Sequence, residues 1–387
     1  MQWLRGSSFQ LSYRVTALYL TVLSLTNFRN YTSLILPCDA KANLFLGANG
    51  QGKTNLLEAI YYLCVARSCR EALDRELILF GGDHFLIKGD GRSAVESDLE
   101  LEIRYGRQAG KNVRINQQPQ RNLSDLYGSL AAVVISPDDR QLVQGSPSCR
   151  RRFLDIAISQ SNSSYLSVLQ DYRRVVRQRN EALRAYHGHA DNPPELDVWN
   201  EQLVRFGSRI IRRRLQAVHQ LNIEAKKLHQ TISDNHEELD VVYTPSFAFE
   251  DPDVIEDRFN EELKRAAREE RTRGVTVVGP HRDDLTLTMD GSSLQAYGSQ
   301  GQQKTAATAM KLAEAQFLWQ QLGSAPILLL DDIFAELDAK RTGKLIELLP
   351  TYGQVFITAA KASDLGTYGH QFRRFYVSAG TVTTLPQ

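Results

Sequence analysis

Eight consecutive residues, Gly47-Ala48-Asn49-Gly50-Gln51-Gly52-Lys53-Thr54, fit the pattern G-x-x-x-x-G-K-[ST]. Its glycines let the backbone turn tightly around phosphate without Cβ clashes, and the loop amides and the start of the following helix then point at the anion. In that arrangement Lys53 bridges the β- and γ-phosphates of ATP, and Thr54 offers its hydroxyl to Mg²⁺. A second group lies far along the chain. Ile327-Leu328-Leu329-Leu330-Asp331-Asp332 reads as a buried strand ending in two acids. Asp331 is placed for the metal shell beside Thr54, and Asp332 for a general base or a group that orients water. Helix capping by either aspartate is the plain alternative, and the phosphate loop outweighs it.

Both groups need a sheet to hold them. Ala42–Leu46 reads as a strand running into the glycines. Asn55–Val65 carries Leu56, Leu57, Ile60 and Leu63 at helical spacing. Leu18–Leu25 and Leu34–Leu36 read as strands, and Phe85–Lys88, Asp98–Tyr105 and Val113–Asn116 as an antiparallel meander. Ala131–Ile135 reads as a buried strand. From Arg150 to about Arg271 the chain is charged and helix-prone, broken by Pro193-Pro194 into two long helices. Asp240–Phe249, Val275–Val278 and Leu285–Met289 show strand character. Gln302–Leu322 and Thr342–Leu349 read as helices, and Val355–Ile357 as a strand.

The expected fold is α/β: a P-loop NTPase head of mixed sheet and flanking helices with an inserted helical arm. Residues 1–16 form an N-terminal extension, 17–149 and 273–387 the two halves of the head, and 150–272 the arm. The length of 387 residues fits about two domains. A formal charge of +1 excludes a uniformly basic molecule, so any nucleic-acid surface is a local patch. The four cysteines form no CxxC pair or zinc-like cluster, which reads as reduced thiols in a cytoplasmic protein. No apolar run is long enough for a membrane helix, and Arg14 and Thr16 interrupt the only signal-peptide candidate.

Gly298-Ser299-Gln300-Gly301-Gln302 precedes a long helix and resembles the signature motif of ABC ATPases, including SMC and Rad50-like heads. Asp331–Asp338 resembles their acidic strand end and the loop after it. Three strings narrow the resemblance to the RecF family of bacterial recombinational repair proteins. They are Asn27-Phe28-Arg29-Asn30-Tyr31; Ser136-Pro137-Asp138-Asp139 with Gly145-Ser146-Pro147 and Arg150-Arg151-Arg152-Phe153-Leu154-Asp155; and Ser299–Lys304. The resemblance spans about Leu18 to the C-terminus. It implies a homodimer that forms when ATP is bound. Ser299, with Gly301 and Gln302, would then reach the γ-phosphate held by Lys53 of the other copy. It also implies a DNA clamp at single-strand gaps or junctions, and RecR, RecO and RecA as partners. It implies roles in recombinase loading, replication restart and the SOS response. Similar ATPases often carry Glu where Asp332 stands, and the shorter side chain implies slow, DNA-stimulated hydrolysis. A glutamine near Ser136–Asp139 and a histidine after Val355–Ile357 are usual in such heads. Here Gln141 or Gln144 lies a little later, and Thr358 replaces the histidine.

Between Arg150 and Lys227 there are 15 Lys and Arg against 8 Asp and Glu. Arg173, Arg174, Arg177 and Arg179 form one cluster, and Arg209 with Arg212–Arg214 another. Such stripes suit backbone tracking on DNA, or else a solvated helix face. Arg67 and Arg70 are further DNA candidates. Arg150–Arg152 suit a DNA contact, a brace for the ATP site or partners for arm acids, and the residues alone leave the three open. The competing class is the ATP-binding subunit of a transporter, which shares the loop and signature but needs no basic arm.

Overall fold

The computed structural model describes residues 18–92, 98–185, 196–233, 237–365 and 372–386. The expected extension over residues 1–16 and the Pro193-Pro194 break lie outside them. The strands run in chain order as β1 (Tyr19–Phe28), β2 (Tyr31–Pro37), β3 (Ala42–Leu46), β4 (His84–Arg92), β5 (Asp98–Gly106), β6 (Gly110–Ile115), β7 (Gln118–Pro119) and β8 (Ala132–Ile135). They continue as β9 (Leu239–Thr244), β10 (Asp284–Met289), β11 (Ser292–Ser293), β12 (Ile327–Asp331), β13 (Val355–Ala359), β14 (Arg373–Ser378) and β15 (Thr381–Thr384). The helices are α1 (Lys53–Val65), α2 (Gln141–Gln144), α3 (Pro147–Ser161), α4 (Ser163–Ala185), α5 (Leu196–Ser233), α6 (Ile255–Arg273), α7 (Leu294–Tyr297), α8 (Gln300–Leu322) and α9 (Ala339–Leu348).

A six-stranded sheet in the order β15-β14-β3-β13-β12-β8 carries the chemistry, and all its pairings are parallel except β14 with β15. Its central strands are apolar almost without interruption because helices cover both faces. Alternate residues divide between two cores. Phe45, Leu329 and Phe356 face α1, whereas Leu44, Leu328, Leu330 and Ile357 join the core that holds α8. The second sheet, β2-β1-β4-β5-β6-β7, is antiparallel throughout and closes over the other side of α1. Enclosed between two sheets, α1 is buried nearly all round and has no polar stripe.

The arm helices α3, α4 and α5 share the core of α8. A small sheet, β11-β10-β9, joins them, with β9 antiparallel to β10. Val275–Val278 is not the expected strand. Its backbone donors are taken by side chains instead: the Thr276 amide donates to Asn180 Oδ1 at 2.7 Å and the Val277 amide to Glu270 Oε1 at 2.8 Å. With those donors used, no ladder can form.

Candidate nucleotide site

The phosphate loop is braced from outside because its glycines supply no side chains. Asn30 donates from Nδ2 to the Gln51 carbonyl at 3.0 Å, and its Oδ1 accepts from Asn55 Nδ2 at 2.8 Å. Tyr31 donates its hydroxyl to the Gly52 carbonyl at 3.0 Å. On the opposite side the Ala379 amide donates to Gln51 Oε1 at 2.8 Å and the Gly380 amide to the Gln51 carbonyl at 3.2 Å. Two of the loop's three glycines have no room for a side chain. A Cβ on Gly47 would stand 2.3 Å from the Val377 carbonyl oxygen, and one on Gly52, at φ 116°, would stand 2.6 Å from Asn30.

Lys53 is buried, and its ammonium donates to the carbonyls of Gly47 at 2.9 Å and Ala48 at 3.2 Å. The charge thus sits inside the ring of the loop, on neutral acceptors that an anion would displace. Thr54 donates its hydroxyl to Asp331 Oδ1 at 3.0 Å, although 277 residues separate the two. Thr358, buried on the neighbouring strand β13, donates to the same oxygen at 2.7 Å. It also accepts the Asp332 amide proton at 2.9 Å. Burial pushes the Asp331 carboxyl above its usual range, the two hydroxyls pull it down, and Asp332 pushes it up. A cation beside Thr54 and Asp331 would relieve that burial cost, so the donor set fits Mg²⁺. Among the described residues no cluster of three or more His, Cys, Asp or Glu side chains could hold a metal. An ion here would therefore complete its shell with phosphate oxygens and water. Asp332 has φ 47°, a left-handed conformation that costs a non-glycine residue energy and is held here by the Thr358 hydroxyl.

Ser299, Gly301 and Gln302 stand at the start of α8. Ser299 Oγ accepts from the Gln302 amide at 3.2 Å, and Gln302 Oε1 accepts from the Ser299 amide at 2.7 Å, a reciprocal cap. No hydrogen bond among the described residues joins this segment to the phosphate loop of its own chain. Lys304, one turn on, pairs with Glu336 at 2.9 Å and ties α8 to the loop after Asp332.

The structure separates the two glutamines. Gln144 donates from Nε2 to Gln303 Oε1 at 2.6 Å and is committed to α8. Gln141 instead lines a cavity of about 360 Å³ that also contains Thr54 and Asp331. Asp139, Lys311 and Glu314 share that cavity. Burial pushes the Asp139 carboxyl up to about 6, against the pull of Lys311.

The arginines also divide. Arg179 and Arg214 are each only 2% exposed. Arg179 donates to Glu270 at 2.6 Å, to Thr276 at 2.9 Å and to Asn200 at 2.8 Å. Arg214 donates to Asp155 at 2.8 Å and to the Pro280 carbonyl at 2.6 Å. Neither faces solvent, so both leave the list of DNA candidates. Arg173, Arg174 and Arg212 reach solvent but pair with Asp155, Asp171 and Glu256. Arg213 is exposed and bonded to Gln216. Arg177 and Arg209 are exposed and make no hydrogen bond or ion pair among the described residues, and Arg67 and Arg70 are exposed beside α1. Of the three uses open to Arg150–Arg152, an acid partner accounts for Arg150, but one outside the expected arm: Arg150 forks onto Asp284 at 2.7 and 2.8 Å. Arg151 donates to the Asp283 carbonyl at 2.7 Å, and Arg152 pairs with Glu71.

Residues 19–383 match the family of the RecF/RecN/SMC N terminal domain. Among curated relatives, the DNA replication and repair protein RecF of Halothermothrix orenii is 38% identical over 95% of this chain and 99% of its own. That of Symbiobacterium thermophilum is 40% identical over 94% and 98%. Among solved structures, the recombination mediator protein RecF-ATP in the RecFOR pathway superposes with a TM-score of 0.89 at 30% identity, covering 97% of this chain and 100% of that one. An Smc head domain derived from Pyrococcus furiosus, at 14% identity and TM-score 0.55 over 95% and 96%, shares the fold. The fold is thus that of an ABC-type ATPase head with a helical arm, and the relatives carry the repair reading of the motifs rather than the transporter one.

Proposed function

We propose that this chain, which belongs to the RecF family of DNA replication and repair proteins, is a slow, DNA-stimulated ATPase that clamps DNA as an ATP-bound homodimer. The observation that carries the reading is the convergence of the Thr54 and Thr358 hydroxyls on one carboxylate oxygen of Asp331, beside a lysine that caps its own loop.

Lys53 leaves the Gly47 and Ala48 carbonyls for the β- and γ-phosphates of ATP, and the loop amides hold the remaining phosphate oxygens. Thr54 and Asp331 would hold Mg²⁺, which would neutralise charge on the phosphate oxygens. Asp332 takes the proton of the attacking water or orients it, and Gln141 lines the same space. Thr358 fixes both acids. Ser299, Gly301 and Gln302 of one copy face the γ-phosphate bound by the other, so ATP bridges two chains where ADP cannot. The clamp engages single-strand gaps or junctions through exposed cations, with Arg177, Arg209, Arg67 and Arg70 as candidates. It acts with RecR and RecO to load RecA, and so supports replication restart and the SOS response.

One titration tests this. ATPase rate and sedimentation are measured with ATP, with and without gapped DNA, for the natural chain and Lys53→Met. The expected result is ATP-dependent dimers and DNA-stimulated turnover that Lys53→Met abolishes. Monomers under every condition remove the clamp, and a fast rate indifferent to DNA removes the slow, gated site.

A further inference from the structure

The cap at the start of α8 does not end with Ser299 and Gln302. Gln302 is held at both ends of its amide: Oε1 accepts from the Ser299 backbone, and Nε2 donates to Glu237 Oε1 at 2.7 Å. The Glu237 contact decides which way the amide faces. If the amide turned over, an NH₂ group would meet the Ser299 N–H and a carbonyl would meet the Glu237 carboxylate, repelling at both ends. A charged acceptor on Gln302 therefore selects the rotamer that caps Ser299.

Glu237 stands just after the end of the 38-residue arm helix α5 and just before β9. Its other oxygen, Oε2, lies 3.9 Å from Nε2 of His229 on the last turns of α5. That distance is too long for a side-chain hydrogen bond, and His229 Nε2 is buried with no hydrogen-bond partner among the described residues. The Glu237 carboxylate thus bonds the signature segment and not the arm histidine. The same helix carries the exposed Arg209 and Arg213 near its middle.

We infer that Glu237 is a positioning residue for the signature segment, fixing Gln302 and hence Ser299 for the nucleotide of a second copy. The dimer half of this inference rests on the proposed ATP-bound homodimer. The cap half does not, because it concerns bonds within one chain.

The test uses the full chain with Glu237→Ala and Glu237→Gln, the latter keeping an oxygen acceptor for Gln302. Glu237 is partly exposed and outside the helix, so both variants should fold. Without nucleotide, amide exchange at residues 299–302 is expected to rise about tenfold in Glu237→Ala, the loss of one charge-assisted bond, and much less in Glu237→Gln. ATP affinity of the monomer stays within about twofold, because Lys53 and its loop are untouched. Dimer dissociation constants rise about a hundredfold in Glu237→Ala, since each dimer holds two such segments, and Glu237→Gln restores most of it. Unchanged exchange in Glu237→Ala overturns the positioning role whatever the dimer does. Equal defects in the two variants overturn it as well, because the acceptor would then not be the cause. Faster exchange with a natural chain that never dimerises would uphold the Glu237 link and overturn the dimer reading instead.

Discussion

Replacing Thr358 with Val should uncouple the two acids of the site while leaving its shape intact. Valine matches threonine in volume but has neither donor nor acceptor. Two bonds disappear: the 2.7 Å donation to Asp331 and the 2.9 Å bond received from the Asp332 amide. The first is charge-assisted, and losing its partner leaves a buried carboxylate less satisfied. The second leaves an amide unpaired at a residue held in a left-handed conformation. An unsatisfied group of this kind costs about 1–3 kcal/mol, so the pair together should cost about 3 kcal/mol after partial relaxation. For 387 residues unfolding as one unit, the entropy of unfolding is about 0.8 kcal/mol per kelvin, which gives a Tm drop of about 4 °C. Losing a hydroxyl that lowers the Asp331 pKa should also push that carboxyl further up. More Mg²⁺ would then be needed for half-maximal hydrolysis. Thermal unfolding and a Mg²⁺ titration of the ATPase rate, with Thr358→Ser as the control that keeps both bonds, make the comparison. If Val and Ser variants show the same Tm and the same Mg²⁺ dependence, Thr358 does not organise the acids and the argument fails.

Three further outcomes follow from the arm. Arg214→Met leaves Asp155 buried without its main counter-charge, so stability in denaturant should fall by about 3–5 kcal/mol; adding Asp155→Asn should recover part of that loss. Arg177→Gln and Arg209→Gln should each weaken DNA binding and flatten its dependence on log salt by about 0.7 to 0.9; an unchanged slope in both removes these two from the interface. Burial, helped by the nearby charges of Arg282, Arg151 and Arg179, lowers the His281 pKa from 6.5 to about 4 against the pull of the Thr276 carbonyl, to which Nε2 donates. A histidine held neutral in the fold contributes stability that is fully present above pH 6.5 and lost as pH falls toward about 4. The loss reaches about 3 kcal/mol and is visible as a pH-dependent Tm that His281→Gln should flatten.

The phosphate loop was legible because its eight residues are contiguous and its chemistry is local. The core strands β3, β12 and β13 were legible because strands covered on both faces are apolar without a break. The hairpin of β14 and β15 went unread although Phe375 and Val377 alternate with the exposed Tyr376, and its turn turned out to brace Gln51. Val275–Val278 looked like a strand because its residues favour one, yet its amides are claimed by Asn180 of the distant α4 and by Glu270 of α6, the helix just before it. The arginine stripe was misleading for a related reason. A count of charge between Arg150 and Lys227 cannot tell a guanidinium on solvent from Arg179 or Arg214, whose acids come from elsewhere in the arm. Gln141 and Gln144 lie one helical turn apart, and only the placement of Gln303 shows which of them is already engaged.

The strings that carry the family resemblance make bracing contacts around the site within one chain. Asn27–Tyr31 stands outside the phosphate loop. It lays Asn30 and Tyr31 along the loop, and it is anchored by Arg29, which forks onto the fully buried Glu58 of α1 at 2.8 and 2.9 Å. Arg150–Asp155 clasps Asp283 and Asp284 at the base of the arm, while Asp139 and Gln141 open onto the space beside Thr54. Ser299–Lys304 binds itself to Glu237 on one side and, through Lys304, to Glu336 on the other. A loop built of glycines and two strand-end acids has little rigidity of its own. If the site is completed across two chains, as proposed, it would tolerate little displacement, because its γ-phosphate contacts would come from two separate bodies. In the proposed dimer, the bonds that keep each half rigid would therefore decide how much of the binding energy remains for closure.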